Sequence, residues 1–215
     1  MQPQILGRHT SYNVQKVLWL ADELAMDYQH IEIGGRFGGN DTSEFLSLNP
    51  LGKVPVLVMD KHSITESNTI LRFLADKYAP EQWIATEAYE KSRVDRWLDW
   101  SLCQMEPAFT DVFWGHYRTP AENRNWPLIE QGIDNTQHCL TTLSKQLGNA
   151  DYLLGNTITL ADIATGVFLH RLKHIDLEIV FPEIIEQWYE RLSKRPAYHK
   201  WVMSDFSELQ GRSQY

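Results

Sequence analysis

The residues best placed to do chemistry fall in two short runs, Lys53-Val54-Pro55 and Glu66-Ser67, with an apolar segment between them. Pro55 follows Gly52 and opens Val56-Leu-Val-Met59. A sheet tolerates proline there because the first strand residue need not donate to the ladder. Val54 is then an edge residue whose backbone groups are open to a ligand. Glu66 and Ser67 open the next helix, where first-turn N–H groups have no internal partner and carry the positive end of the dipole. A strand edge beside a helix N-terminus suits a short peptide with a terminal carboxylate. The same Glu and Ser also serve simply to cap a helix and offset its dipole.

Taken together, Lys53-Val-Pro55 and Glu66-Ser67 resemble the signature of the cytosolic glutathione transferases, of the bacterial theta-, nu- and beta-like kind with serine at the catalytic position. The resemblance covers nearly all of the chain. It implies that the Val54 backbone pairs with the cysteinyl unit of glutathione, that the Val54–Pro55 bond is cis, and that Glu66 and Ser67 hold the γ-glutamyl end. Lys53 is the nearest cation for the glycine carboxylate, with Arg8 and Arg36 as weaker candidates.

For catalysis the resemblance puts Ser11 first and Asn13 second as donors to the glutathione sulfur. Nu-like members carry Thr-Pro-Asn where this chain has Ser11-Tyr12-Asn13, so Tyr12 departs from the pattern. Capping of the first helix is the alternative use of Ser11 and Asn13. A serine in place of cysteine argues against a mixed disulfide with glutathione at this position. A thiol of ordinary pKa, about 8.5, is only about 3% ionised at pH 7. Lowering it by two units needs roughly 2.7 kcal/mol, close to what one hydrogen bond to a charged group contributes. Tyr12, Met105, Phe109, Phe113 and Arg118 are the expected wall of a second-substrate pocket. The Met and aromatic positions, spaced by four, read equally well as helix core, and Arg118 as a solvated helix end.

Elements must position these groups. Ile5-Leu6 is a short strand, and Gly7 to Asn13 a polar loop. A helix follows with Val14, Val17, Leu18, Leu20, Ala21 and Leu24 on its apolar face, capped by Ser11 or Asn13. Strands are expected over Tyr28 to Ile33, Val54 to Met59 and Lys61 to Ile64, with helices over Thr42 to Leu48 and Glu66 to Tyr78. The four glycines between Gly34 and Gly39 match no phosphate-binding fingerprint. This order is a thioredoxin-like α/β domain over residues 1–80. Ala79-Pro80-Glu81 breaks the pattern, 81–87 reads as a linker, 88–205 as an all-helical domain and 206–215 as a polar tail.

Within the helical half, one long helix is expected from Ala88 to about Tyr117, with a kink at Pro107. Another runs from Asn125 to Leu147 and ends at Gly148. Thr159-Leu-Ala-Asp162 is a capping box leading into a buried helix. His170 and His174 stand four apart, a spacing that can hold a metal ion, but no H-E-x-x-H accompanies them and ordinary helix polar residues are the preferred reading.

Composition narrows the function classes. A chain of 215 residues with 43% hydrophobic content and eight tryptophans can fill a core. A net charge of −8 argues against a general nucleic-acid binder. No apolar run approaches the roughly 18 residues of a membrane span, and no leader is evident, which gives a cytoplasmic expectation. Cys103 and Cys139 suggest neither a disulfide framework nor a thiol redox motif, but two buried or idle thiols. The resemblance implies a homodimeric, metal-free glutathione transferase in a detoxification role. It would attack a small electrophile or a glutathionyl disulfide. A non-catalytic relative that binds ligands or partners on the same fold is the alternative.

Overall fold

In the computed structural model, which describes residues 2–78 and 87–213, the N-terminal half is built on four short strands. β1 (Gln4–Leu6) runs parallel to β2 (Gln29–Ile31) and antiparallel to β3 (Val56–Met59), which pairs antiparallel with β4 (His62–Thr65). The order is β2-β1-β3-β4, with Ile5 opposite both His30 and Leu57. α1 (Tyr12–Glu23) and α3 (Ser67–Tyr78) cover one face, and α2 (Ser43–Leu48) lies on the other, where Phe45 packs with Leu6 and Val56. This is the thioredoxin-like arrangement that the strand and helix order predicts. β2 is shorter than the Tyr28 to Ile33 run, and β4 lies one residue further along than expected.

α1 carries apolar residues beyond one face, and the fold uses them. Every residue from Val14 to Ala21 is buried, because α1 is sandwiched between the sheet and the helical half. Trp19 meets Tyr198 edge-on at 4.8 Å. Glu23, at the end of α1, accepts two 2.6 Å hydrogen bonds from the Arg195 guanidinium, the bidentate geometry that makes such pairs strong. The Asn68 amide donates to the Leu98 carbonyl at 2.7 Å, so α3 is tied across as well.

In the helical half, the single long helix that the periodicity suggests runs unbroken from Ala88 to Arg118, with α4 (Ala88–Trp100) and α5 (Glu106–Val112) as its α-helical parts. Widened π-type turns occupy Ser101–Met105 and Phe113–Arg118. Pro107 falls in the first turn of α5, just after such a turn, where its missing N–H costs least. α6 (Trp126–Leu147) is capped by the Asn125 side chain and ends at Gly148, whose φ of 51° suits glycine. α7 (Leu160–Gly166), α8 (Leu169–Lys173), α9 (Glu183–Ser193) and α10 (Pro196–Trp201) complete the domain. α7 is buried throughout, and its Asp162 accepts from the Thr159 N–H at 2.9 Å as the capping box requires. The other oxygen of Asp162 accepts from Leu153 N–H at 2.9 Å, so a fully buried carboxylate stitches the preceding loop to the helix.

Residues 81–86, nearly all of the expected linker, and the break at Ala79-Pro80 lie outside the described residues. The segment from 206 onward is not a loose polar tail: Phe206 and Leu209 are buried, and a single helical turn, Ser207–Leu209, packs back over the molecule. Two apolar residues in a short polar stretch give no periodic signal. Finally, Cys139 is buried, with its thiol pushed up to about 11 by desolvation, whereas Cys103 is exposed.

Candidate functional site

β1 ends at Leu6 and the chain turns through Gly7 into α1, so the loop before α1 opens at the junction of the two halves. A cavity of about 470 Å³ lies there. From the thioredoxin-like half it is lined by Arg8, Thr10, Ser11, Tyr12, Asn13, Lys53 and Val54. The helical half contributes Glu106, Phe113, Trp114, Arg118 and Arg171, and Leu209 closes it.

Ser11 occupies the N-cap position of α1 with extended backbone (φ −86°, ψ 120°), yet its side chain makes no capping bond. Its backbone carries the local structure instead, accepting from Gln15 N–H at 2.9 Å and donating to the Arg8 carbonyl at 3.0 Å. Ser11 thus lines the cavity at the positive end of the helix, with its side chain uncommitted to the cap. Asn13 is held from both ends. Its Oδ1 accepts from Ser67 Oγ at 3.0 Å, and its Nδ2 donates to Glu106 Oε1 at 3.2 Å. That pairing fixes the amide's orientation and leaves its second N–H for a ligand.

Glu106 is the hub of this corner. Its Oε1 also accepts from Tyr12 Oη at 2.8 Å, and Oε2 lies 3.9 Å from the Lys16 ammonium. Lys16 is fully buried, which lowers its pKa to about 8 although Glu106 pulls the other way. Burial, then the charge and hydrogen bond of Glu106, raises the Tyr12 phenol well above its ordinary value. Tyr12 is therefore a neutral donor committed to Glu106.

On the opposite wall, Val54 and Pro55 are joined by a cis peptide bond. The ladders on both sides of β3 begin at Val56, so Val54, which lines the cavity, falls outside them. Asn49 supports this turn by donating to the Lys53 carbonyl at 2.7 Å. Glu66 is exposed and held at φ 66°, an uncommon region for a residue with a side chain. Ser67 begins α3 and is buried. Pro55, Glu66 and Ser67 do not line the 470 Å³ cavity itself; Ser67 reaches it through Asn13.

Two of the expected pocket residues are elsewhere. Met105 and Phe109 are fully buried core residues and do not wall the cavity; Phe109 packs against Tyr12 at 5.1 Å and Phe168 at 4.9 Å. Phe113, stacked on Phe109 at 5.0 Å, does reach the wall, as do Tyr12 and Arg118. Arg36 ion-pairs with Glu208 at 2.7 Å and does not line the cavity. His170 Nδ1 lies 2.9 Å from Tyr189 Oη and His174 Nδ1 donates to the His170 carbonyl at 2.7 Å, so both rings have local partners. Sequence reasoning missed Glu106, Trp114, Leu209 and Arg171. None carried a local motif, and Arg171 approaches the loop from about 160 positions away in sequence, its Nη2 donating to the Thr10 carbonyl at 2.7 Å.

A thioredoxin-like half with a free strand edge, closed by a helical half that adds cations and aromatic rings, is the two-domain architecture of the glutathione transferases. Residues 4–76 match the family model for the glutathione S-transferase N-terminal domain, and 127–202 that for the C-terminal domain. Glutathione S-transferase GstB of Escherichia coli K12 is 32% identical over 200 residues, covering 92% of this chain and 96% of that protein. The disulfide-bond oxidoreductase YfcG of the same organism is 27% identical, covering 86% and 87%. Among solved structures, the theta class glutathione S-transferase of Xanthomonas axonopodis pv. citri, with glutathione bound, superposes with a TM-score of 0.89. It is 37% identical, with 94% of this chain and 98% of that one covered. The chain belongs to the glutathione S-transferase family.

Proposed function

We propose that this protein binds glutathione along the Val54 edge and ionises its thiol against Ser11, for attack on an electrophile or a glutathionyl disulfide. The observation that carries the reading is Ser11, which lines the cavity at the N-terminus of α1 and whose side chain makes no cap bond. In this scheme the Val54 backbone pairs with the cysteinyl unit and Lys53 takes the glycine carboxylate. Glu66 and the start of α3 receive the γ-glutamyl end. Asn13, oriented by Ser67 and Glu106, is the second donor to sulfur.

The charge balance supports it. Within a chain of net charge −8, the cavity is lined by Arg8, Lys53, Arg118 and Arg171 against the single carboxylate of Glu106. That field favours an anionic tripeptide and its thiolate. A purely structural relative would need neither the uncommitted serine nor the oriented amide, which is why we prefer the enzyme to a non-catalytic binding protein. We place it in the cytoplasm as a homodimer with a detoxification role. No described helix is long and apolar enough to cross a membrane.

Thermal unfolding with and without glutathione tests the binding step. A ligand at a hundredfold its Kd adds about 2.7 kcal/mol to stability by mass action, so millimolar glutathione should raise Tm by several degrees. An unchanged Tm at saturating concentration would remove the reading.

A further inference from the structure

The turn Ser207–Leu209 reaches back to the catalytic loop. Just before it, the Asp205 carboxylate accepts from the Ser207 N–H at 2.9 Å and from the Ser207 hydroxyl at 2.8 Å, which tightens the turn. Phe206 is buried beside Tyr117 and Phe113, with ring centroids 5.2 and 6.0 Å away. Leu209 is buried as well and lines the cavity. Beyond it, the Gly211 N–H donates to the Tyr117 carbonyl at 2.9 Å. Glu208 is thus carried between two apolar anchors and held against the thioredoxin-like half.

The two oxygens of its carboxylate have separate partners. Oε1 accepts from Thr10 Oγ1 at 2.7 Å, and Oε2 stands 2.7 Å from Arg36 Nη1, on the turn Gly35–Phe37. Thr10 is 1% exposed and directly precedes Ser11. Its carbonyl is held too, by Arg171 Nη2 at 2.7 Å. The side chain and the carbonyl of Thr10 are therefore both tied to the helical half and its C-terminal return. The Ser11 side chain makes no cap bond, so its place is set by the backbone that carries it. Displacing a reacting group by about 1 Å can cost about a hundredfold in rate. A bond from the Thr10 hydroxyl to a carboxylate is charge-assisted, and so holds the loop more firmly than a neutral acceptor would.

We propose that Glu208 is a positioning residue for thiolate formation, setting Ser11 against the glutathione sulfur through the Thr10 hydroxyl. This rests on the role of Ser11 proposed above and adds the residue that fixes its geometry. The sign of the effect separates positioning from direct electrostatics. A carboxylate near the site opposes a thiolate, so deleting its charge alone would lower the bound thiol's pKa. Loss of positioning does the reverse, because sulfur loses its hydrogen-bond donor and the anion is favoured less.

The test titrates the thiolate absorbance of glutathione bound to the full chain in the wild type, E208A, E208Q, T10V and the double variant T10V/E208A, with S11A as reference. E208A and T10V should each raise the bound thiol's pKa by about one unit, a loss of about tenfold in thiolate at low pH. With chlorodinitrobenzene as electrophile, kcat/KM should fall about tenfold near pH 6.5 and recover at high pH, where the thiol ionises unaided. E208Q keeps an oxygen for the Thr10 hydroxyl and should titrate at or below the wild-type pKa. The double variant should shift no further than either single one, as for two ends of one bond. An unmoved or lowered pKa in E208A or T10V overturns the inference, as does an additive shift in the double variant. If E208A does not fold, T10V decides alone. Equal rate losses at every pH with the titration unmoved would show a merely structural role and overturn it too. If S11A itself leaves the titration unmoved, the role of Ser11 falls and takes this inference with it. A shift in S11A without one in T10V overturns only the part given to Glu208.

Discussion

At the scale of single residues, the account assigns separate tasks to groups that touch one another. Ser67 is buried and donates to Asn13, so Ser67→Ala should act twice, weakening the γ-glutamyl end and releasing the Asn13 amide. Glutathione affinity by titration calorimetry should fall about tenfold, the loss of roughly 1.4 kcal/mol expected for a hydrogen bond to a charged group. Glu66→Ala removes an exposed side chain and leaves the Ser67–Asn13 bond in place, so it should affect affinity alone. Unchanged affinity in both would place the γ-glutamyl end elsewhere. Lys16 gives a pH dependence. Its folded pKa is lowered from 10.5 to about 8 by burial, with Glu106 opposing. Between those values the unfolded chain holds the proton and the folded chain does not, so this group's contribution to stability rises with pH across that window. Below about 8 the cost of the buried charge is constant. Lys16→Met should therefore remove a rise of up to roughly 3 kcal/mol between pH 8 and 10.5 in urea unfolding. An identical slope in both proteins would show that Lys16 is not the group titrating.

Secondary-structure elements set the site through close packing at two glycines that can be compared. Gly7 joins β1 to the catalytic loop at φ 146°, and a Cβ there would meet Val14 Cγ2 at 2.6 Å and Val54 Cβ at 2.9 Å. Gly166 closes α7, where a Cβ would meet Leu192 Cδ1 at 2.7 Å, far from the cavity. Each alanine should destabilise by about 1–3 kcal/mol. Only Gly7→Ala should also weaken glutathione binding, because it displaces the Val54 edge; equal binding losses would contradict this division. The same contrast shows what was legible in the sequence. The Asn125 and Gly148 bounds of α6 and the Thr159-Asp162 box are local signals with local causes, and the structure contains them. Lys53-Val-Pro55 and Glu66-Ser67 were readable because the strand edge and helix start they build are local too. The burial of Met105 and Phe109, and the return of Phe206 and Leu209, depend on what the distant chain offers to pack against. Arg171 was invisible for the same reason, since its meaning comes from Thr10 and not from its neighbours in α8.

For the whole molecule, the two halves act as one because α1 belongs to both cores, with Glu23 tied to Arg195 and Thr10 to Arg171. Glutathione bound to the first half should therefore stabilise the helical half in the same cooperative unfolding transition. The homodimer we propose would appear in sedimentation at twice the 25.0 kDa chain mass. A monomer alone at micromolar concentration, the range suited to such interfaces, would refute it. The central claim, that this fold brings Ser11 to the glutathione sulfur as a hydrogen-bond donor rather than as a helix cap, is tested by titrating the thiolate absorbance of bound glutathione in the wild type, Ser11→Ala and Asn13→Ala. Ser11→Ala should raise the bound thiol's pKa by about one to two units, each worth about 1.36 kcal/mol, with glutathione affinity nearly intact and Asn13→Ala giving the smaller shift. A thiol titration that does not move in Ser11→Ala, with stability instead lower by roughly 0.5–2 kcal/mol as for a lost cap, would contradict the account.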